Sequence, residues 1–263
     1  MDKSTFMSLD FIVFSSHKTM TQSLSGTLNY NGFSCVHAHQ PKHIDLTNEQ
    51  LRELSEEYYQ HNNKKLKLIS VYRDPIDRLI SSFFQSLSVD KWGRTEYGKK
   101  EELVNFSESI LFSEDFNRIM ERFWYYCAVK NDVSEALDLI CDIYDIRQNE
   151  ISFQAEEIFT RNEFLKIDLF VSRFDILKDN FSQGASVLAG HPIDTQIHNV
   201  ASQKWYVAKY EEFRNNVQLP NVFIRNIYNS RKALNEIFYP GLFDNILNKA
   251  CERYGLRNAP KWR

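Results

Sequence analysis

Residues 9–23 read LDFIVFSSHKTMTQS. The first six are apolar but for one aspartate, β-branched and aromatic, and they end abruptly in Ser15-Ser16-His17-Lys18-Thr19, which predicts a buried strand running into a polar loop. After the loop, Thr21 to Asn29 predicts a helix that Asn31-Gly32 stops. A strand that empties through a loop into a helix is the unit from which parallel α/β sheets are built. The same alternation continues outward. Phe33-Ser34-Cys35-Val36-His37-Ala38 predicts a second strand, and Thr47-x-x-Gln50 a capping box opening a helix with Leu51, Leu54 and Tyr58 on one face. Leu66 to Tyr72 predicts a third strand, followed by Arg73-Asp74-Pro75. There Asp74 can cap a helix and Pro75 can take its first position, with Ile76, Leu79, Ile80, Phe83 and Phe84 as the buried stripe.

The middle of the chain is more helical. Phe116, Ile119, Met120 and Phe123 recur at helical spacing, as do Val133, Leu137, Ile140 and Tyr144. Leu169 to Arg173 predicts a further strand, with Asp175 beside Arg173 marking its end. A last helix carries Phe243, Ile246, Leu247, Ala250, Cys251 and Tyr254 on one face, with Gly255 as its stop. The fold class expected is α/β, a three-layer sandwich around a central parallel sheet. With no internal repeat and no linker rich in Pro, Gly or Ser, the chain predicts one domain over residues 1–263, with a helical insertion at approximately 89–165.

Composition narrows the function. The 263 residues are 43% apolar, and only eight are glycine, no two closer than five positions apart, so a G-x-G-x-x-G dinucleotide fingerprint is arithmetically absent. A net charge of −3 supplies no field for nucleic acid or a membrane surface. The apolar run Phe11 to Phe14 falls far short of the ~20 residues of a membrane span. Cys35, Cys127, Cys141 and Cys251 stand far apart without a C-x-x-C pair, which predicts free thiols and a cytoplasmic location. Gly93-x-x-x-x-Gly98-Lys99 imitates a Walker A loop, but Lys100 stands where a magnesium-binding hydroxyl belongs and no clean strand precedes it.

Two junctions can carry chemistry. Ser16, His17, Lys18, Thr19, Thr21, Gln22 and Ser23 put an ammonium, hydroxyls and amides at a helix start, a pattern suited to a phosphate or sulfate group, against the alternative of a solvated lysine among capping hydroxyls. At the third-strand exit, Arg73 and, eight residues on, Ser81 offer a guanidinium fork and a hydroxyl to a phosphate, against a structural ion pair of Arg73 with Asp74 or Asp77. His37 and His39 alternate on one face at the end of the second strand and are candidates for a general base. A zinc pair would need a third ligand, and none is suitably spaced.

Ser15 to Leu24 resembles the 5′-phosphosulfate loop of sulfotransferases, P-K-S/T-G-T-S/T-x-L, and Arg73-Asp74-Pro75-Ile76-Asp77-Arg78-Leu79-Ile80-Ser81 is similar to their 3′-phosphate motif, R-N/D-P-x-x-R-x-x-S. Gln203-Lys204-Trp205-Tyr206 with Tyr210, and Asn226-Ile227-Tyr228 to Phe238-Tyr239, resemble the bacterial capsular polysaccharide synthesis proteins of the sulfotransferase-like group. The resemblance implies a fold related to the P-loop kinases. It also implies the donor 3′-phosphoadenosine 5′-phosphosulfate, used without a metal, and a hydroxyl-bearing acceptor, a saccharide or glycolipid. It implies that Lys18 stabilises the leaving oxygen, that Ser16, His17, Thr19, Met20, Thr21, Gln22 and Ser23 form the phosphosulfate loop, and that Arg73, Ser81 and Lys204 hold the rest of the nucleotide. A histidine base, His37 or His39, fits the same chemistry. Two departures stand out: His17 occupies the usual proline position and Met20 the usual glycine, so the backbone must accommodate a side chain where it passes the phosphate. A P-loop-type kinase and a catalytically silent nucleotide- or glycan-binding relative are the alternatives.

Overall fold

A computed structural model of the chain describes residues 1–86, 115–129, 135–196 and 206–256. The expectations at Gly93 to Lys100, Val133, Gln203, Lys204 and Trp205 lie outside the described residues. The chain clusters into two compact units. One comprises Met1–Asp74, Ser134–Asn199 and Ala233–Gly241, the other Pro75–Val133, Val200–Lys232 and Leu242–Arg263.

The first unit is built on a five-stranded sheet. Its strands are β1 (Phe11–Phe14), β2 (Cys35–Ala38), β3 (Leu66–Tyr72), β4 (Thr160–Glu163) and β5 (Ile167–Arg173), in the order β2-β1-β3-β5-β4. All neighbours are parallel except β4, which runs antiparallel along the β5 edge. Helices flank both faces, and the parity of the strands assigns each residue to a layer. Phe11 and Val13 of β1, with Ile69 and Val71 of β3, pack on Leu24 and Leu28 of α2 (Thr21–Tyr30). Leu177 of α7 (Phe174–Asp179), and Phe181 and Leu188 of α8 (Phe181–Ala189), join that layer. Ile12, Phe14, Leu66, Leu68, Tyr72, Leu169 and Val171 face the other way. They meet Phe6 of α1 (Lys3–Met7), Leu51 and Tyr58 of α3 (Asn48–Asn62), Leu137 and Ile140 of α6 (Ala136–Tyr144), and Leu234 and Phe238 of α11 (Lys232–Phe238). Burial on both faces is why β1 and β3 are almost continuously apolar.

The expected third strand, Leu66 to Tyr72, is matched residue for residue, and Thr47 with Gln50 makes both bonds of the capping box. Of the segment expected as a helical insertion at approximately 89–165, residues 135–165 belong with the sheet. Helix α6 covers one of its faces, and β4 extends its edge. β4 was not expected, because its inward residues are polar. Buried Thr160 accepts from the Gln154 amide, and buried Asn162 exchanges bonds with Ser152, so neither shows as an apolar alternation.

In its described residues the second unit is helical. It comprises α4 (Pro75–Ser86), α5 (Phe116–Val129), α9 (Val207–Asn216), α10 (Asn221–Asn229) and α12 (Phe243–Tyr254), packed around Phe83, Phe84, Phe123, Phe213, Ile224, Tyr228 and Tyr254. Within it Asp77 accepts from Tyr254 Oη at 2.6 Å and from Arg214 Nε at 3.1 Å. Burial alone would raise the Asp77 carboxyl, but these partners hold it below the usual carboxylate range. Gly255 does end α12, though not in the left-handed conformation expected of a glycine cap: its φ is −72°. Glycine is needed for space instead, since a Cβ would lie 2.2 Å from the Cys251 carbonyl oxygen.

No helix among the described residues is long and apolar enough to cross a membrane. All four cysteines are unpaired, and burial pushes the thiols of Cys35, Cys127 and Cys141 up to about 12, far from reactive thiolates.

Candidate functional site

The strand order creates the site. From β1 the chain passes through α2 to β2 on one side, then through α3 back across to β3 on the other, so the topology reverses between β1 and β3. Crevices outside the carboxyl ends of strands at such a reversal are where open α/β sheets bind ligands. The loop Ser15–Met20 leaves β1 there, and Arg73 leaves β3 beside it.

The loop is tied down at nearly every residue. Ser15 is fully buried; its amide donates to Ala38 of β2, and its Oγ sits 2.9 Å from the Val71 amide and 3.0 Å from the Val71 carbonyl of β3. The Thr19 hydroxyl lies 2.7 Å from Ser15 Oγ and 2.6 Å from the Ser16 carbonyl oxygen. Ser16 Oγ donates to Glu135 Oε2 at 2.6 Å and accepts from the Ala136 amide at 3.0 Å. The hydroxyls of Ser16 and Thr19 thus hold the loop together, whereas the resemblance gives them to the donor. Thr21 and Ser23 are buried in the first turn of α2, and Gln22 is exposed.

The backbone between these ties is left-handed at two non-glycine residues, Lys18 (φ 68°) and Met20 (φ 64°). Each such residue costs about 1–3 kcal/mol and persists only where its surroundings over-determine it. Arg73 contributes to that restraint, donating from Nη1 to the Lys18 carbonyl at 2.9 Å while its guanidinium stacks 4.3 Å from the Phe174 ring. Met20 therefore adopts the conformation a glycine would supply, and its side chain packs against the α2 face of the sheet. It is also the N-cap of α2 and provides no side-chain cap. The first-turn amides of α2, which have no intrahelical acceptor, face this loop at the positive end of the helix dipole.

Four imidazoles border the loop. The rings of His17 and His39 are 3.7 Å apart between centroids; His43 lies 5.6 Å from His39 and 6.3 Å from His17, and His37 lies 6.2 Å from His39. The hydrogen bonds resolve two tautomers. His39 Nδ1 is 2.5 Å from the Ser15 carbonyl oxygen, which can only accept, so Nδ1 carries a proton and in the neutral ring the lone pair lies on Nε2. His43 Nδ1 accepts from the His39 amide at 3.3 Å, so in the neutral ring its proton sits on Nε2. His37, paired in register with Val13, makes a long contact of 3.4 Å to Ser25 Oγ. Among the described residues no group of three or more His, Cys, Asp or Glu side chains is arranged to hold a metal ion.

Partial desolvation, with the neighbouring His43, lowers the pKa of His37 below the ordinary imidazole value. The unfolded chain therefore takes up a proton at this position before the folded one does. Stability is full above the ordinary imidazole range and declines as pH falls through it towards the lowered value. Thermal unfolding midpoints should fall from pH 7 to pH 5.5, and His37→Gln should flatten that decline; an unchanged slope would remove His37 from the coupling.

The structure brings Lys18, Arg73, His17, His37 and His39 to one edge of the first unit. Ser81 lies half-buried on α4 of the second unit, and Lys204 is outside the described residues. Sequence reading missed Glu135 and the contact of His43 with the loop. Glu135 lies in no motif. The His39-to-His43 spacing is visible in the sequence, but only the turn Pro41–Ile44 places the second ring against the first. Arg173 binds Asp175 and stacks on Tyr239, a strand-end arrangement as expected. No family model matches the chain, and no curated protein or solved structure is significantly similar to it.

Proposed function

We propose that the chain is a sulfotransferase that moves a sulfuryl group from 3′-phosphoadenosine 5′-phosphosulfate to a hydroxyl of a saccharide or glycolipid. One observation carries the reading most: the loop that resembles a phosphosulfate loop lies at the β1/β3 reversal, with a glycine-like backbone and, behind it, a helix start whose N-cap residue Met20 supplies no side-chain cap. Such a start offers oriented amides to an oxyanion. The fold class proposed is the P-loop-kinase-like one of sulfotransferases, and the location cytoplasmic, supported by four unpaired cysteines.

In this reading the amides of Thr19 to Ser23 bind the 5′-phosphosulfate and Arg73 the 3′-phosphate. Residues Ser81 and Lys204 join the nucleotide set by resemblance alone. His39 Nε2 takes the acceptor proton as the acceptor oxygen bonds to sulfur. The bond from sulfur to the bridging oxygen breaks, its electron pair stays on that oxygen, and the Lys18 ammonium offsets the charge that develops there. Positioning and electrostatics carry most of such a transfer.

A catalytically silent relative is the alternative that Met20 in place of glycine favours; the left-handed backbone at Met20, with its side chain packed against the α2 face of the sheet, supports the active reading. A thermal-shift comparison tests the reading against a P-loop kinase. Adenosine 3′,5′-bisphosphate at 100 times its Kd should stabilise the protein by about 2.7 kcal/mol, while ATP with magnesium should not. Stabilisation by ATP with magnesium alone would overturn the assignment.

A further inference from the structure

Helix α6 begins against the same loop, and its first residues are unusual. Glu135, the N-cap, is 3% exposed, yet its carboxylate makes no cap bond to its own helix. It reaches Ser16 Oγ instead, and Ser16 Oγ accepts from the Ala136 amide, the first of α6. The serine therefore caps the helix, and the helix's N-cap residue holds the serine. Behind this pair, Leu137 and Ile140 anchor α6 in the core with Ile12 and Phe14 of β1. A buried carboxylate accepting from a hydroxyl forms one of the stronger classes of hydrogen bond, so its loss should be felt locally.

We propose that Glu135 is a positioning residue: acting through Ser16, it transmits the rigidity of the α6 and β1 packing to the loop and holds Lys18 and Met20 in their left-handed conformations. Other described restraints come from β2, β3 and Arg73, on the sheet side. The bonds of Ser16 Oγ to Glu135 and to the Ala136 amide join the loop to the N-terminus of a second helix. That the held shape serves an anion rests on the sulfotransferase reading; that Glu135 holds it does not.

Amide hydrogen exchange in the ligand-free protein separates the two. The amides of Ser15, Val71 and Leu24 report on the loop, because their acceptors are Ala38 O, Ser15 Oγ and Met20 O. In Glu135→Ala those of Val71 and Leu24 should exchange about tenfold faster or more, the effect of losing one buried charge-assisted hydrogen bond, while the Leu68 and Ile69 amides in the β3 ladder keep their rates. Glu135→Gln, whose amide oxygen can still accept from Ser16, should restore most of the protection. Ser16→Ala should reproduce the alanine effect, and the double variant should add little to either single one. Unchanged loop exchange in Glu135→Ala, or an acceleration spread evenly over loop and ladder in both Glu135→Ala and Ser16→Ala, would overturn the proposal. The affinity of the same variants for adenosine 3′,5′-bisphosphate then tests the consequence. Localised loop exchange in a protein that binds no bisphosphate would leave Glu135 as the clamp and refute the donor assignment instead.

Discussion

Lys18→Ala is expected to lower turnover at saturating donor by roughly 10²–10³, the loss that follows removal of one preorganised group facing developing charge. Donor affinity should fall much less, because the α2 amides and Arg73 remain. The backbone makes this substitution a clean one. Lys18 stands at φ 68°, and alanine there bears the same left-handed strain that lysine bears, so the loop has no new reason to rearrange. The carbonyl that receives the Arg73 bond belongs to the main chain and survives the change. Release of adenosine 3′,5′-bisphosphate from the donor, followed in wild type and variant at saturation, reads the effect. Equal rates would remove Lys18 from the chemistry.

The second large effect falls on His39. As general base it should be worth roughly 10²–10⁴ in turnover with little change in donor affinity. His39→Asn is the informative variant, since its amide can still donate to the Ser15 carbonyl while offering no basic nitrogen. His37→Gln should retain most of the activity, because its Nδ1 contact, to Ser25 Oγ, is long at 3.4 Å. The sequence alone left the two histidines equivalent, both on the same face of one strand exit. What distinguishes them is a bond to Ser15, 24 residues earlier in the chain. Equal losses in both variants would contradict the assignment of His39.

Much of the sheet was legible for one physical reason: a parallel strand buried on both faces is mostly apolar, as β1 is throughout and β3 is but for Lys67 and Ser70. The loop after β1 was legible as a candidate because an ammonium and hydroxyls crowd the junction of such a strand with a helix. Its inner working was not. Ser16 and Thr19 look like ligand donors in sequence, yet their hydroxyls bond within the fold, to Glu135 and to Ser15. The partner of Ser16 lies 119 residues away in no motif, so no local pattern could find it. β4 was hidden because its buried residues are polar and satisfied by side-chain bonds, and the helical unit because it is assembled from three separated stretches. Glycine scarcity left a question about Met20, and the structure shows how the backbone meets it: Met20 is left-handed, and the stretch before it is tied down by Ser15, Thr19 and Arg73.

Diffraction from crystals of the protein grown with adenosine 3′,5′-bisphosphate tests the central claim most directly. The 5′-phosphate should lie on the amides of Thr19 to Ser23, within reach of the Lys18 ammonium, with Lys18 and Met20 still left-handed. Nucleotide bound away from the β1/β3 reversal, with the loop Ser15–Met20 untouched, would contradict it.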